Sequence, residues 1–206
     1  YNTPLVIESD AKEISDYDSG YGTRGNIFIG GNSNNIITAY SGNDTITGGS
    51  GADTLKGGQG SDTYIFNLGD GNDVINETNS NSVNDTIKFG TGIKPSDIKI
   101  NRIGNDMVIY YGNQGDSVRI INQYSDSYYW IEKVTFTDDD TIINAVDYMN
   151  SSPVITPTED GNVYDFTSGY GTRNTIFAGA DTENTIFAYD GDDTITGGKG
   201  ADTLKG

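Results

Sequence analysis

The sequence has no cysteine and no histidine. That excludes disulfide scaffolds, thiol nucleophiles, the common zinc sites and every mechanism needing an imidazole. Positive charge is scarce as well. Twelve Lys and Arg stand against 30 Asp and Glu, a net charge of −18. So acidic a chain is a poor partner for nucleic acid or an anionic membrane surface. Apolar residues make up only 33%. No run of them approaches the ~18 that a membrane span needs. High charge on few apolar residues leaves a chain unfolded unless something neutralises the charge. At 206 residues, one or two domains fit. The chain starts at Tyr1 with neither an initiator Met nor a signal peptide, and it reads as a piece of a longer protein.

Glycine, by contrast, is abundant and patterned. GGSGADTLK from Gly48 is followed directly by GGQGSDTYI from Gly57. Both have the form G-G-x-G-x-D-x-U-x, with U a large apolar residue. The first six residues must turn sharply, which glycine allows at no steric cost. The x-U-x triplet predicts a short strand with U inward and its neighbours outward. Leu55 and Tyr64 hold the inward slot; Asp53 and Asp62 hold position six. The phase runs backwards through AYSGNDTIT, GGNSNNIIT and YGTRGNIFI, with Ile46, Ile37 and Phe28 inward. Their position-six residues are Asp44, Asn35 and Asn26, so acid gives way to amide toward the N-terminus. Forwards, after a two-residue slip, come Asp73 with Ile75 and then Asp85 with Ile87. A flexible glycine linker has no reason to keep an apolar residue at one fixed slot.

Four segments are expected. Residues 1–86 form a β-roll with an irregular acidic lead-in holding a short strand near Leu5 to Ile7. Residues 87–149 lose glycine and gain alternating runs, DIKINR, DMVIYY, DSVRII and IEKVTF, separated by turn signals. They read as an antiparallel β-meander closed by a short helix from Ile143 to Met149. Residues 150–169, with Pro153 and Pro157, read as a linker and lead-in. Residues 170–206 then restart the roll: YGTRNTIFAG, DTITGG and GADTLKG each stand 149 residues after a counterpart. The chain is therefore one full unit and the opening of a second, cut at Gly206 within the repeats, and tandem copies suggest a longer array. The fold class is all-β: a parallel β-roll, a small antiparallel domain, and the start of a second roll.

If two nonapeptides make one coil, residues 18 apart stack. That pairs Asn26 with Asp44, Asp44 with Asp62 and Asn35 with Asp53, then, past the slip, Asp53 with Asp73 and Asp62 with Asp85. Parallel strands lie about 4.7–4.9 Å apart, and carboxylates stacked that closely repel. A divalent cation between them reverses the sign. Calcium suits the position, since it takes 6–8 carboxylate or carbonyl oxygens in flexible geometry, whereas magnesium demands an octahedron and keeps its waters.

Residues 21–85 and 170–206 resemble the haemolysin-type calcium-binding RTX (repeats-in-toxin) repeats. The resemblance implies a parallel β-roll with several calcium ions held between turns 18 residues apart. It implies ligands from the carbonyls of positions two and four and the position-six side chain of one turn. The next turn gives its position-one and position-three carbonyls and its own position six. Carried over, one site is Tyr40, Gly42 and Asp44 with Gly57, Gln59 and Asp62. A second is Gly31, Ser33 and Asn35 with Gly48, Ser50 and Asp53. A third is Gly49, Gly51 and Asp53 with Leu68, Asp70 and Asp73. Gly58, Gly60 and Asp62 face Asp85. In the second block Ala180, Thr182 and Asn184 face Gly197, Lys199 and Asp202, and Asp193 holds a further position six. Arg24 and Arg173 replace the fourth-position glycine and Thr175 replaces an Asp, so those turns are expected to stay empty or to be held by hydrogen bonds. The segments GIKPSDIKINRIGNDMVIYY, DSVRIINQY and YYWIEKVTF resemble the haemolysin-type calcium-binding-related domain.

Neither resemblance carries a catalytic motif, and no enzyme is expected. Carboxylates that recur with the repeat read as metal ligands rather than a glycosidase pair. Asp138 to Asp140 read as a polar hairpin turn in preference to a metal site. Tyr124, Tyr128, Tyr129 and Trp130 read as core and rim of the meander in preference to a sugar platform. The expected function is a non-catalytic calcium-binding module of a secreted bacterial protein. The resemblance implies export by a type I secretion apparatus and folding on extracellular calcium, free or at the cell surface. The alternatives are an adhesin or surface-layer unit that binds glycan or another copy of itself, and the secretion segment of a larger toxin or enzyme.

Overall fold

The computed structural model describes residues 4–15, 24–77, 84–112, 115–125, 127–145, 154–155, 162–164, 176–179, 182–188 and 192–206. Strands of three or four residues alternate between two sheets. β1 (Val6–Glu8), β3 (Ile27–Ile29), β5 (Thr45–Thr47), β7 (Thr63–Phe66) and β9 (Thr86–Phe89) run in parallel along one sheet. β2 (Glu13–Ser15), β4 (Ile36–Thr38), β6 (Thr54–Lys56) and β8 (Asn72–Ile75) run along the other. Each coil thus gives one strand to each face of a β-solenoid.

The register follows the nonapeptide count. Phe28 pairs with Ile46, Ile46 with Tyr64, and Ile37 with Leu55. After the slip the spacing widens: Leu55 pairs with Ile75 and Tyr64 with Ile87. These seven central residues are fully buried, and each contributes about 1.5–3 kcal/mol by leaving water. A one-residue shift would turn every one of them out to solvent, so the register is held by the core.

The lead-in is more ordered than expected. It contains β1, one residue beyond the anticipated strand, and also β2, whose Ile14 is buried against the roll. A single apolar residue between Glu13 and Ser15 is too short a signal to read as alternation.

After β9, a 3-10 turn (Pro95–Asp97) leads into β10 (Ile98–Ile103), β11 (Asp106–Tyr111) and β12 (Asp116–Ile120), an antiparallel meander. β12 then pairs in parallel with β8, so the meander continues one sheet of the roll. β13 (Lys133–Phe136) crosses to the other sheet and pairs in parallel with β9. The two sheet edges left at the end of the roll are thereby covered, as exposed edges usually are. Gln123 holds the crossing: its side chain donates to and accepts from the backbone of Ile131, at 2.8 and 2.7 Å. Phe66, Phe89, Tyr111 and Phe136 pack as one aromatic cluster beneath the junction, with ring centroids 4.9–6.4 Å apart.

The closing helix expected from Ile143 is not what forms first. Ile142–Asn144 is a strand, β14, antiparallel to β13. Ile143 meets Val134 there, and pairing with an existing strand outweighs the helix propensity of so short a run. Residues 146–149 lie outside the described residues. The turn from Asp138 to Asp140 joins β13 to β14, as expected. Asp139 caps the N–H of Thr141 at 2.7 Å, and Asp138 accepts from Gly92 at 2.9 Å. Tyr124 is buried, Trp130 half-buried and Tyr128 exposed, a mixture of core and rim.

β15 (Val154–Ile155) and β16 (Asn162–Tyr164) fall within the proline-bearing segment. β17 (Ile176–Ala178), β18 (Thr185–Phe187), β19 (Thr194–Thr196) and β20 (Thr203–Lys205) each lie 149 residues after β3, β4, β5 and β6. β15 pairs with β10 and with β17, so one sheet runs without a break from the first unit into the second. β16, β18 and β20 make the facing sheet. Among the described residues no helix is long and apolar enough to cross a membrane.

Candidate metal centre

Each position-six side chain sits at the edge of its turn, just before its strand or, for Asp73, within the start of β8, and all of these are buried in the first block: Asn26, Asn35, Asp44, Asp53, Asp62, Asp73 and Asp85. Their first oxygens do the same work in every coil. Asp44 Oδ1 accepts the backbone N–H of Asn26, Asp53 that of Asn35 and Asp62 that of Asp44, each at 2.7 Å. Asp73 accepts from Asp53 at 2.9 Å and Asp85 from Asp62 at 2.8 Å. The spacing rule therefore brings together every pair expected of it, across the slip as well.

Their second oxygens differ. Oδ2 of Asp53, Asp62, Asp73 and Asp85 is buried with no hydrogen-bond partner. A buried carboxylate oxygen left unsatisfied costs several kcal/mol or is protonated. Burial raises all four above the ordinary carboxylate range, Asp62 to about 6, Asp73 to about 7 and Asp85 to about 8. A divalent cation in the gap would satisfy these oxygens in their charged form. No three acidic side chains converge at metal-binding distance among the described residues. The stacked turns offer two carboxylates with backbone carbonyls beside them, an all-oxygen set of the kind that suits calcium.

The turns supply such carbonyls. Coils stack so tightly that a Cβ on Gly49 or Gly58 would strike the carbonyl oxygen of Gly31 or Tyr40 in the coil before, and one on Gly60 that of Gly42. Position-two and position-four carbonyls therefore point at the following turn. Gly31 and Tyr40 each accept one hydrogen bond, from Ser50 at 3.0 Å and Gln59 at 2.7 Å, and Gln59 and Asp70 accept from Gly42 and Gly51. A carbonyl has two lone pairs, so one remains on each. Tyr40 adopts φ +67 at a position where the repeat places glycine. Gly57, Gly48, Ser33, Ser50 and Leu68 lie in the same stacked turns.

The amide-bearing turns are closed by hydrogen bonds. Asn35 Oδ1 accepts from Gly31 at 3.1 Å and its Nδ2 donates to Ala11 at 2.6 Å. Asp10 of the lead-in accepts from Asn32 and Ser33 at 3.0 and 3.1 Å. Asn26 Oδ1 accepts from Leu5 and from Arg24 Nε at 3.2 and 3.1 Å. Arg24, standing where glycine belongs, thus locks its own turn. In the second block Asn184 N–H donates to Asp202 Oδ1 at 3.0 Å. Gly197 and Lys199 lie in the turn before Asp202, and Asp193 is half-buried. Ala180, Arg173 and Thr175 lie outside the described residues.

Three acids of the site were not read from the sequence. Glu132, just before β13, accepts the N–H of Asp85 at 2.6 Å and so holds the next rung after Asp85. Glu77 is buried; it accepts from Gly57 and Gly58 at 3.3 and 3.1 Å and from the Tyr64 hydroxyl, which itself accepts from Gly57 at 2.7 Å. Burial pushes Glu77 up to about 7. Asp116, at the start of β12, accepts from Gly69 at 2.7 Å. Asp116 and Glu132 keep no nonapeptide spacing; Glu77 is in phase, 20 residues after Gly57 as Asp73 is after Asp53, but it stands where the repeat has glycine and not an acid.

Comparison with known families agrees with this geometry. Residues 29–64 and 168–204 match the RTX calcium-binding nonapeptide repeat. Residues 106–138 match the haemolysin-type calcium binding protein related domain. A comparison with curated proteins returned no match. The matched repeats imply several bound calcium ions. The chain carries two blocks of RTX haemolysin-type calcium-binding repeats, with the related haemolysin-type domain between them.

Proposed function

We propose that this chain is a non-catalytic, calcium-gated folding module of a secreted protein. The observation that carries the proposal is the row of buried, partnerless Oδ2 atoms on Asp53, Asp62, Asp73 and Asp85. Asp44 with Asp62, Asp53 with Asp73, and Asp62 with Asp85 are the carboxylate pairs that would hold the ions. Carbonyls of Tyr40, Gly42, Gly49, Gly51, Gly58 and Gly60 would complete them, with those of Gly57, Gln59, Leu68 and Asp70 from the later turns. The gap between Asn35 and Asp53 would hold an ion more weakly, because the Asn35 amide is already engaged.

Gating follows from the charge. Without calcium, a net charge of −18 opposes compaction. Calcium binds the stacked turns and not the open chain, so it draws the equilibrium toward the fold by mass action. Extracellular calcium modules bind at about 10⁻⁴–10⁻³ M, so such a chain stays unfolded inside a cell and folds outside it. That property suits passage through a type I secretion channel. Circular dichroism tests the reading: coil in chelator, β-sheet at millimolar calcium. A β-rich spectrum indifferent to chelator would overturn it.

A further inference from the structure

β1 is the outer strand of its sheet, and among the described residues nothing pairs with its far side. Its near side is occupied: the Leu5 carbonyl accepts from Ile27 and the Ser9 N–H donates to Ile29, at 2.8 and 3.0 Å. Backbone groups alternate sides along a strand, so Ile7 also faces β3, while Val6 and Glu8 face outward. Leu5 and Val6 are 49% and 57% exposed, two large apolar side chains at an open edge. Even a short edge leaves unpaired backbone groups that can template pairing with another chain.

The chain itself contains the covered version of this edge. Ile155 stands 149 residues after Val6, in β15. β15 pairs in parallel with β17 on one side, as β1 does with β3, but one residue out of step: Ile155 meets Phe177, whereas Ile7 meets Phe28. On its other side it pairs in parallel with β10, and the paired residues are Arg102 and Ile155. The strand that meets β10 in the second unit is thus the one that stands at the β1 position, and in the first unit that position has an open outer edge. Pro4 and Pro153 share the same offset in the sequence.

We propose that the outer edge of β1, through Val6 and Glu8, is a docking edge for β10 of another copy of the 149-residue unit. Units then join end to end through one continuous sheet, as a rigid column and not as beads on linkers. The first strand of each unit is the cap of the unit before it.

The test lengthens the present chain by a second copy of residues 1–149 placed before Tyr1. Amide hydrogen exchange is followed in millimolar calcium. Exchange at Val6 and Glu8 should slow at least about tenfold relative to the 206-residue chain, with Ile7 equally protected in both. Val6→Pro in the lengthened chain should return Glu8 to its fast rate while Ile7 keeps its protection. In the 206-residue chain, Ile155→Pro should speed exchange across Asn101 to Ile103. Equal rates at Val6 and Glu8 in the two parent chains would overturn the proposal. Loss of protection at Ile7 would do so too, because the edge would not exist.

Discussion

Glu132 accepts the backbone N–H of Asp85 at 2.6 Å, the bond that an aspartate makes to every earlier rung of its row. A residue of the related domain therefore ends the ladder of Asn26, Asp44, Asp62 and Asp85. Glu132→Ala would leave a buried N–H unsatisfied and should cost about 1–3 kcal/mol. In a chain of this size that lowers Tm by about 2–4 °C per kcal/mol. Glu132→Gln should cost less, since an amide oxygen still accepts. Thermal melts in calcium check both, with exposed Glu183→Ala as a neutral control.

Asp53 has stacked partners on both sides, Asn35 and Asp73, whereas Asp139 caps only its own hairpin. Asp53→Ala should raise the calcium midpoint of folding; Asp139→Ala should leave it in place. One site lost at calcium one hundred times its dissociation constant removes about 2.7 kcal/mol of stability. Equal midpoints for the two variants would refute the site assignment.

Among the described residues of the roll, Tyr64 is the inward residue with a polar end, and Glu77 is what permits it. Tyr64→Phe keeps the ring but strips Glu77 of its hydroxyl donor. A loss of about 1–3 kcal/mol is expected. A double-mutant cycle with Glu77→Gln should show coupling above about 0.5 kcal/mol. Additive effects would separate the two residues.

In chelator the raised acids work against the fold at high pH. Asp62, Asp73, Glu77 and Asp85 titrate near 6, 7, 7 and 8 in the folded chain, raised by burial. They titrate near 4 when unfolded. The fold therefore holds protons that the open chain releases. Its stability is greatest below about pH 4 and is lost as pH rises through about 6 to 8. Calcium-free chain should show more β signal at pH 5 than at pH 8.5, and saturating calcium should erase the difference. More structure at the higher pH without calcium would contradict the burial.

Asp193 is half-buried, whereas its counterpart Asp44 is buried beneath the Asp62 rung. The Asp62 counterpart would stand five residues beyond Gly206. Calorimetry should find fewer calcium ions per repeat in residues 176–206 than in residues 24–85. Adding residues 58–149 after Gly206 should restore the missing sites and raise Tm in calcium. An unchanged stoichiometry would break the stacking rule.

The nonapeptide count alone determined the coil, its buried residues from Phe28 to Ile87 and the pairing of Asp44, Asp53 and Asp62 with their neighbours. It could do so because a short strand and a glycine turn are local, and repetition places identical residues above one another. Even the slip before Asp73 was readable, since the apolar slot resumed in phase. Tertiary structure alone decided what happens where repetition stops. β12 and β13 each pair with a different sheet of the roll, and the choice rests on which edges β8 and β9 leave open. Asp116 and Glu132 reach the turns from 47 residues away, at a spacing belonging to no repeat, and Glu77 occupies a glycine slot where the pattern calls for no acid. Val154 and Ile155 read as linker because the three residues between the prolines carry no period; pairing with β17 and with the open edge of β10 makes them a strand.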